Sequence, residues 1–213
     1  MKHVYTIKNV LLQHRRNLLC KRQKENYCLG RLPRCFTSQH VERGEREVAD
    51  LFTRPNACVL EFGGGSGAVS MIIQKHLNNP SNHVVIQPRD GVGLENPLFG
   101  GFSTLIKNKE ACKSSFQIID HVLKAGEGKR IMNLVSKPFD TIIADCEGCL
   151  LGEYEKNPEL FRKVNMIQVE RDDIVLNTER YDKLFKTLNL KKIHTGLGCD
   201  TECVTEVWVR SKV

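Results

Sequence analysis

The stretch CVLEFGGGSGAVSMIIQ, residues 58–74, does most to narrow the folds open to this chain. An apolar run ends at Phe62, four glycines fall within the five positions 63–67, and a helical pattern follows at once. Without a Cβ the backbone turns tightly and can approach a ligand closely. The helix beyond presents unpaired N–H groups at its first turn. A junction of this kind is typical of open, mostly parallel α/β sheets that hold a nucleotide at their strand ends.

The rest of the chain fits that frame. Short apolar runs occur at CVLEF (58–62), HVVIQ (83–87), SFQII (115–119), FDTIIADC (139–146) and NMIQVE (165–170). Helical patterns lie between most of them: SGAVSMIIQKHL, PLFGGFSTLIKNKEAC, EYEKNPELFRKV and TERYDKLFKTLN. Alternation of this sort implies βαβ units around a parallel sheet buried on both faces. LKKIHTGL and TEVWVR, joined by GCDTEC, predict an antiparallel hairpin at the end of that sheet. The expected fold is therefore α/β and Rossmann-like, with a mostly parallel seven-stranded sheet, a C-terminal hairpin and an N-terminal helical extension.

Charge divides the chain at about residue 40. Residues 1–40 hold nine Lys/Arg and one acid, Glu25, whereas the other 173 residues hold 23 Lys/Arg and 24 Asp/Glu. We expect a basic helical extension over 1–40 and one catalytic domain over 41–213. The spacing of Ile7, Val10, Leu11, Leu18 and Leu19 predicts an amphipathic helix over 4–25. A second helix, capped by Thr37 or Ser38, should run through VERGEREVADLF and stop before Pro55. The extension reads as a structural or substrate-facing element; its Arg-rich, acid-poor start also resembles a mitochondrial presequence. Only Tyr5, Tyr27 and Phe36 offer it aromatic faces, so nucleic acid is not an expected partner. No apolar run approaches the ~20 residues of a membrane span, and no secretory signal pattern is present. The nine cysteines follow no framework spacing, which predicts reduced thiols and a cytoplasmic protein.

Two cofactor templates fit the glycine loop. Gly63, Gly65 and Ala68 satisfy G-x-G-x-x-G/A, a dinucleotide fingerprint. Glu61, Gly63, Gly65, Ser66 and Gly67 satisfy acid-x-G-x-G-x-G, the first motif of S-adenosylmethionine (SAM) methyltransferases. A carboxylate two residues before the loop repels a pyrophosphate and attracts the sulfonium and ammonium of SAM, so Glu61 favours SAM. At the end of the second strand Gln87 stands where a ribose-binding acid is expected. Its amide can bond ribose hydroxyls without charge assistance. Arg89 keeps an NADP-linked oxidoreductase open, since an arginine here meets a 2′-phosphate, and Asp120 is a candidate adenine contact.

Carboxylates also crowd the next strand ends. Asp145 and Glu147 follow the fourth strand in IIADCEGCLLGE, and Glu170, Asp172 and Asp173 follow the fifth in IQVERDD. Ligands bind outside the carboxyl ends of such strands. Acids there can serve as a general base, hold a substrate or bind a divalent cation such as Mg, with Asp145, Glu170 and Asp172 the candidate metal ligands. His121 and His194 are alternative bases.

From Cys58 onward the chain resembles the FkbM-like family of SAM-dependent methyltransferases. The resemblance is carried by VLEFGGGSGAVS, by VVIQP with STLIKNKEACKSSFQII, by ADCEGCL, by MIQVERDD and by YDKLFKTLNLKKI. It implies a class I methyltransferase fold and methyl transfer to a hydroxyl of a sugar, glycan or small hydroxylated acceptor. On this reading Glu61 and the glycines hold SAM, Asp145 and Glu147 line the reaction site, and Glu170 supports them. Gln87 departs from the family's acid, which leaves room for a methyltransferase-like binding module without turnover. Cys146-x-x-Cys149 and Cys199-x-x-x-Cys203 also allow a four-cysteine zinc site, against which Cys146 falls inside the reaction-site motif.

Overall fold

Every side chain of VLEF, HVVI and TIIA is buried, so these segments require cover on both faces of a sheet. In the computed structural model, which describes residues 30–36, 42–89, 101–171, 174–197 and 203–211, they receive it. Strands β1 (Val59–Phe62), β2 (His83–Ile86), β3 (Gln117–Ile119), β4 (Thr141–Ala144) and β5 (Met166–Arg171) run parallel. β6 (Leu190–Leu197) and β7 (Val204–Arg210) form the antiparallel hairpin. The order across the sheet is β3-β2-β1-β4-β5-β7-β6, so the hairpin joins through its second strand and leaves β6 at the edge.

The helices are α1 (Arg43–Phe52), α2 (Ala68–His76), α3 (Phe102–Ala111), α4 (Gly128–Met132), α5 (Cys149–Lys156) and α6 (Ile174–Thr187). Alternate strand residues point to opposite faces, which splits the core in two. Leu60, Phe62, Ile142, Ala144, Ile167 and Val169 pack with Leu150 and Leu151 of α5 and Tyr181 and Phe185 of α6. Val59, Val85 and Ile143 pack with Ile72 and Ile73 of α2 and Leu105 of α3.

Departures from expectation have local causes. EYEKNPELFRKV is not one helix: α5 begins earlier, at Cys149, and ends before Asn157, and Pro158 opens a separate 3-10 turn through Phe161. GKRIM, the five residues of α4, is too short to show a helical period. α1 starts at Arg43 behind Glu42; the proposed caps Thr37 and Ser38, and the predicted helix over 4–25, lie outside the described residues.

Residues 30–36 pack onto the body. Leu32 and Phe36 join the α2–α3 side of the core. Asp50 accepts the Gly30 N–H at 2.7 Å, and the Arg46 guanidinium donates to the Gly30 carbonyl at 2.6 Å. Cys35 is joined to Cys112 at the C-terminal end of α3.

That disulfide, and a second between Cys146 and Cys149, overturn the expectation of reduced thiols. The fold brings each pair of Cα atoms to 5.2 and 5.4 Å, within bridging reach. Cys203 is also disulfide-bonded, whereas Cys58 is free and buried. Pairing Cys146 with Cys149 removes two of the four ligands a zinc site would need. No helix among the described residues is long and apolar enough to cross a membrane.

Phe36 is buried at the seam between residues 30–36 and the α2–α3 layer. Phe36→Ala is expected to lower stability by about 3–5 kcal/mol, read as a shift of the urea unfolding midpoint at unchanged slope.

Candidate active site

The order of parallel strands reverses between β1 and β4, and such a switch point opens a crevice beyond the strand ends. The glycine loop leaves β1 on one side of it, and Asp145–Gly148 leaves β4 on the other. The two backbones touch. A Cβ on Gly63, whose φ is +83°, would overlap the Asp145 carbonyl oxygen and lie 3.1 Å from Cys146 Cβ. The Gly63 N–H donates to Ile86 and the Asp145 N–H to Phe62, each at 3.0 Å, so both loops are pinned to the sheet.

Glu61 takes a different place from the one its motif suggested. Its carboxylate is 1% exposed, accepts the Ser70 hydroxyl at 2.8–2.9 Å and meets His83 Nε2 at 2.8 Å. A strand buried on both faces turns this side chain into the α2 layer, where it braces α2 and β2 under the loop. The Gln74 amide lies 3.2 Å from His83 Nδ1, so a neutral ring accepting there and donating to Glu61 satisfies both neighbours.

Gln87 is likewise committed to the loop. It is buried, and its Oε1 accepts the Gly65 N–H at 2.8 Å. Its amide nitrogen has no hydrogen-bond partner among the described residues and remains a donor for a ligand oxygen. The Ser66 hydroxyl is buried without a partner among the described residues, while its carbonyl accepts from Asn108 of α3 at 2.9 Å. Past β2, Arg89 pairs with Asp120 at 2.6 Å and lies over the Phe102 ring. His121, followed by Arg89, holds the Asp120 carboxyl below its usual range.

Sequence reasoning missed two acids at the start of α1, Glu42 and Glu45. Glu45 is 2% exposed, its Oε2 has no hydrogen-bond partner among the described residues, and Thr205 lies 3.4 Å from Oε1. Glu170 at the end of β5 is buried against Glu45 and the Cys203 sulfur. Burial first, then the Glu170 carboxylate, raises Glu45 from 4.5 to about 7. Glu42, beside the glycine loop, is pushed up by burial and then by Glu45, Glu61 and Glu170. Its Oε1 lies 3.0 Å from where a Gly65 Cβ would stand. The signal was present in ERGE, residues 42–45, where two acids three apart flank the start of α1.

The remaining candidates are placed as follows. Asp145 is half-buried at the end of β4, and Glu147 is exposed with φ +52°. In register Asp145 is level with Glu170, since Ala144 pairs with Val169. The one cluster of three metal-ligating side chains among the described residues is Glu45, Glu170 and Cys203, and the Cys203 sulfur is committed to a disulfide. Asp172 lies outside the described residues, so the Asp145–Glu170–Asp172 set is not tested by the structure. His194 is mid-strand on β6 against Phe52, with its pKa lowered by burial, and His121 sits between Asp120 and Glu127. An open depression lined by Asp140, Arg162, Lys163 and Arg210 lies at the opposite, N-terminal ends of β4 and β5.

No family model and no curated protein matches the chain. Solved structures do. An O-methyltransferase from Bacillus cereus in complex with SAH is similar with a TM-score of 0.57 and 15% identity, over 84% of each chain. A putative tRNA (m1A22) methyltransferase from Streptococcus pneumoniae, in complex with S-adenosyl-L-methionine, gives 0.55 and 11%, over 78% of this chain and 73% of its own. Precorrin-6y C5,15-methyltransferase from Geobacter metallireducens gives 0.54 and 12%, over 84% and 92%. At such identities the likeness establishes the fold, which is that of the Rossmann-like class I methyltransferases.

The raised Glu45 sets a pH dependence. The folded state binds this proton more tightly than the unfolded chain, so the stabilisation is full below about pH 4.5 and is lost as pH rises through about 7. Thermal melts from pH 5 to 8 should fall in Tm, and Glu45→Gln should fall less over the same range. Parallel profiles for the two proteins would remove the assignment.

Proposed function

We propose that the chain is a SAM-dependent methyltransferase acting on a hydroxyl of a sugar, glycan or small hydroxylated acceptor. The observation that carries this reading is the glycine loop at the switch point, set beside Glu42 with no unpaired cation against it among the described residues. Arg89, the residue that suited an NADP 2′-phosphate, is paired with Asp120. The residues present suit SAM: the Gln87 amide and the Ser66 hydroxyl are donors for ribose or carboxylate oxygens, and the acids favour its cationic end. SAM, when bound, supplies an electrophilic methyl group.

The chain's own part is to align the acceptor and remove its proton. Asp145 and Glu147 are assigned the acceptor side, Glu147 from an exposed position and Asp145 from the wall of the crevice. Glu170, with Glu45, is a supporting group on the α1 side. The finer family assignment, FkbM-like, rests on the ADCEGCL and MIQVERDD motifs. The basic extension is proposed to complete the α2–α3 side of the fold, as residues 30–36 already do. The disulfides favour a compartment more oxidising than the cytoplasm first expected.

Calorimetry with SAM, S-adenosylhomocysteine and NADP tests the cofactor. Binding of NADP with no binding of either SAM compound would sink the proposal. Gln87→Ala should weaken SAM by about tenfold, the effect of one lost hydrogen bond and a looser Gly65. Labelled-methyl transfer to an acceptor panel, with and without magnesium, separates an enzyme from a binding module. Asp145→Asn or Glu147→Gln should then lower kcat by about 10²–10⁴ with SAM affinity retained.

A further inference from the structure

Cys146 and Cys149 are joined across the turn that leaves β4, three residues apart in sequence. Both are half-buried, and Glu147 between them is exposed, so the pair lies at the surface of the crevice. Cys149 is the first residue of α5, and its N–H donates to the Cys146 carbonyl at 3.1 Å. A sulfur in the first turn of a helix lies near unpaired N–H groups that stabilise its thiolate. The Cys35–Cys112 bond spans 77 residues and fastens residues 30–36 to the end of α3. Closing so long a loop constrains the unfolded chain far more than closing one of three residues. The short bond can therefore open with little loss of fold stability.

This pair also touches the glycine loop. The Cys146 Cβ is 3.1 Å from where a Gly63 Cβ would lie, and the Asp145 carbonyl fills the rest of that space. Inside the ring Glu147 (φ +52°) and Gly148 (φ +81°) are both left-handed, a conformation a glutamate resists. The closed ring holds that turn. Once open, it frees Glu147 to return to ordinary backbone angles, which moves the chain that abuts Gly63.

We infer that Cys146–Cys149 is a thiol–disulfide exchange site for dithiols, and that its closed and open forms give the glycine loop two settings. A thiolate of the dithiol attacks Cys146 Sγ, a mixed disulfide forms, and the Cys146–Cys149 bond breaks with the electron pair leaving on Cys149. The second thiol then attacks its own sulfur in the mixed disulfide and releases Cys146 as a thiolate. Two electrons pass to the protein, the dithiol becomes a cyclic disulfide, and its two protons end on Cys146 and Cys149. The exchange chemistry is independent of the proposed methyl transfer; its consequence for ligand binding rests on the cofactor reading of the loop.

The full chain is equilibrated in graded ratios of reduced to oxidised dithiothreitol, alkylated and peptide-mapped, with circular dichroism and amide exchange followed in parallel. Cys146 and Cys149 should become alkylated with secondary structure retained, and exchange over residues 63–67 should quicken by roughly 5-fold or more. The double variant Cys146→Ser, Cys149→Ser should exchange like the open form; if it fails to fold, the wild-type titration decides. Opening only together with unfolding, or equal loop exchange in both forms, overturns the inference. A chain that binds no S-adenosylhomocysteine in either form counts against the cofactor reading alone, because the loop's exchange rate decides this one.

Discussion

No carbon atom fits between Gly63 and the carbonyl of Asp145. That contact ties the loop after β1 to the loop after β4, and the crevice of the sheet takes its floor from it. The hydrogen bonds of Gly63 to Ile86 and of Asp145 to Phe62 hold the two loops from below. Any side chain at position 63 would drive them apart and carry Asp145, Cys146 and Glu147 with them. The glycine therefore serves the meeting of two loops as much as the approach of a ligand.

Beneath it, Glu61 explains how a charged residue belongs in a strand buried on both faces. An unpaired buried carboxylate costs several kcal/mol, and here Ser70 and His83 satisfy it from α2 and β2. Three elements thus converge on one carboxylate under the glycine loop. Gln87 repeats the arrangement from the end of β2, its amide oxygen fixing Gly65. Both residues lie where a motif would put a ligand contact; Glu61 spends its acceptors on Ser70 and His83, and Gln87 spends its own on Gly65.

The sheet was legible because period-2 and continuous apolar runs declare buried strands directly, and LKKIHTGL matches β6 residue for residue. Helix ends were less so, because Pro158 splits a segment whose apolar spacing runs on unbroken. The positions of the Glu61 and Gln87 side chains were not legible. Motif spacing fixes a residue's place on a strand, but the face it turns to depends on the partner layer. The disulfides were hidden for a related reason: Cys35 and Cys112 are far apart in sequence and become neighbours only when residues 30–36 pack beside α3. Glu42 and Glu45 could have been paired from their spacing, but not with Glu170, which arrives from β5.

The acids on the α1 side change the argument about ligand charge. Two like charges about 4 Å apart repel by about 4 kcal/mol at an effective dielectric near 20, so Glu45 and Glu170 cannot both be ionised cheaply. The raised Glu45 and Glu42 express that repulsion together with their burial. A pyrophosphate would add two negative charges to the same region. A cation would instead let the carboxylates ionise and would be held by them. Glu61 is already engaged by His83 and Ser70 beneath the loop. On the proposed cofactor reading the selective charge comes from the α1 and β5 side, and from Glu42 in particular, whose carboxylate lies against Gly65.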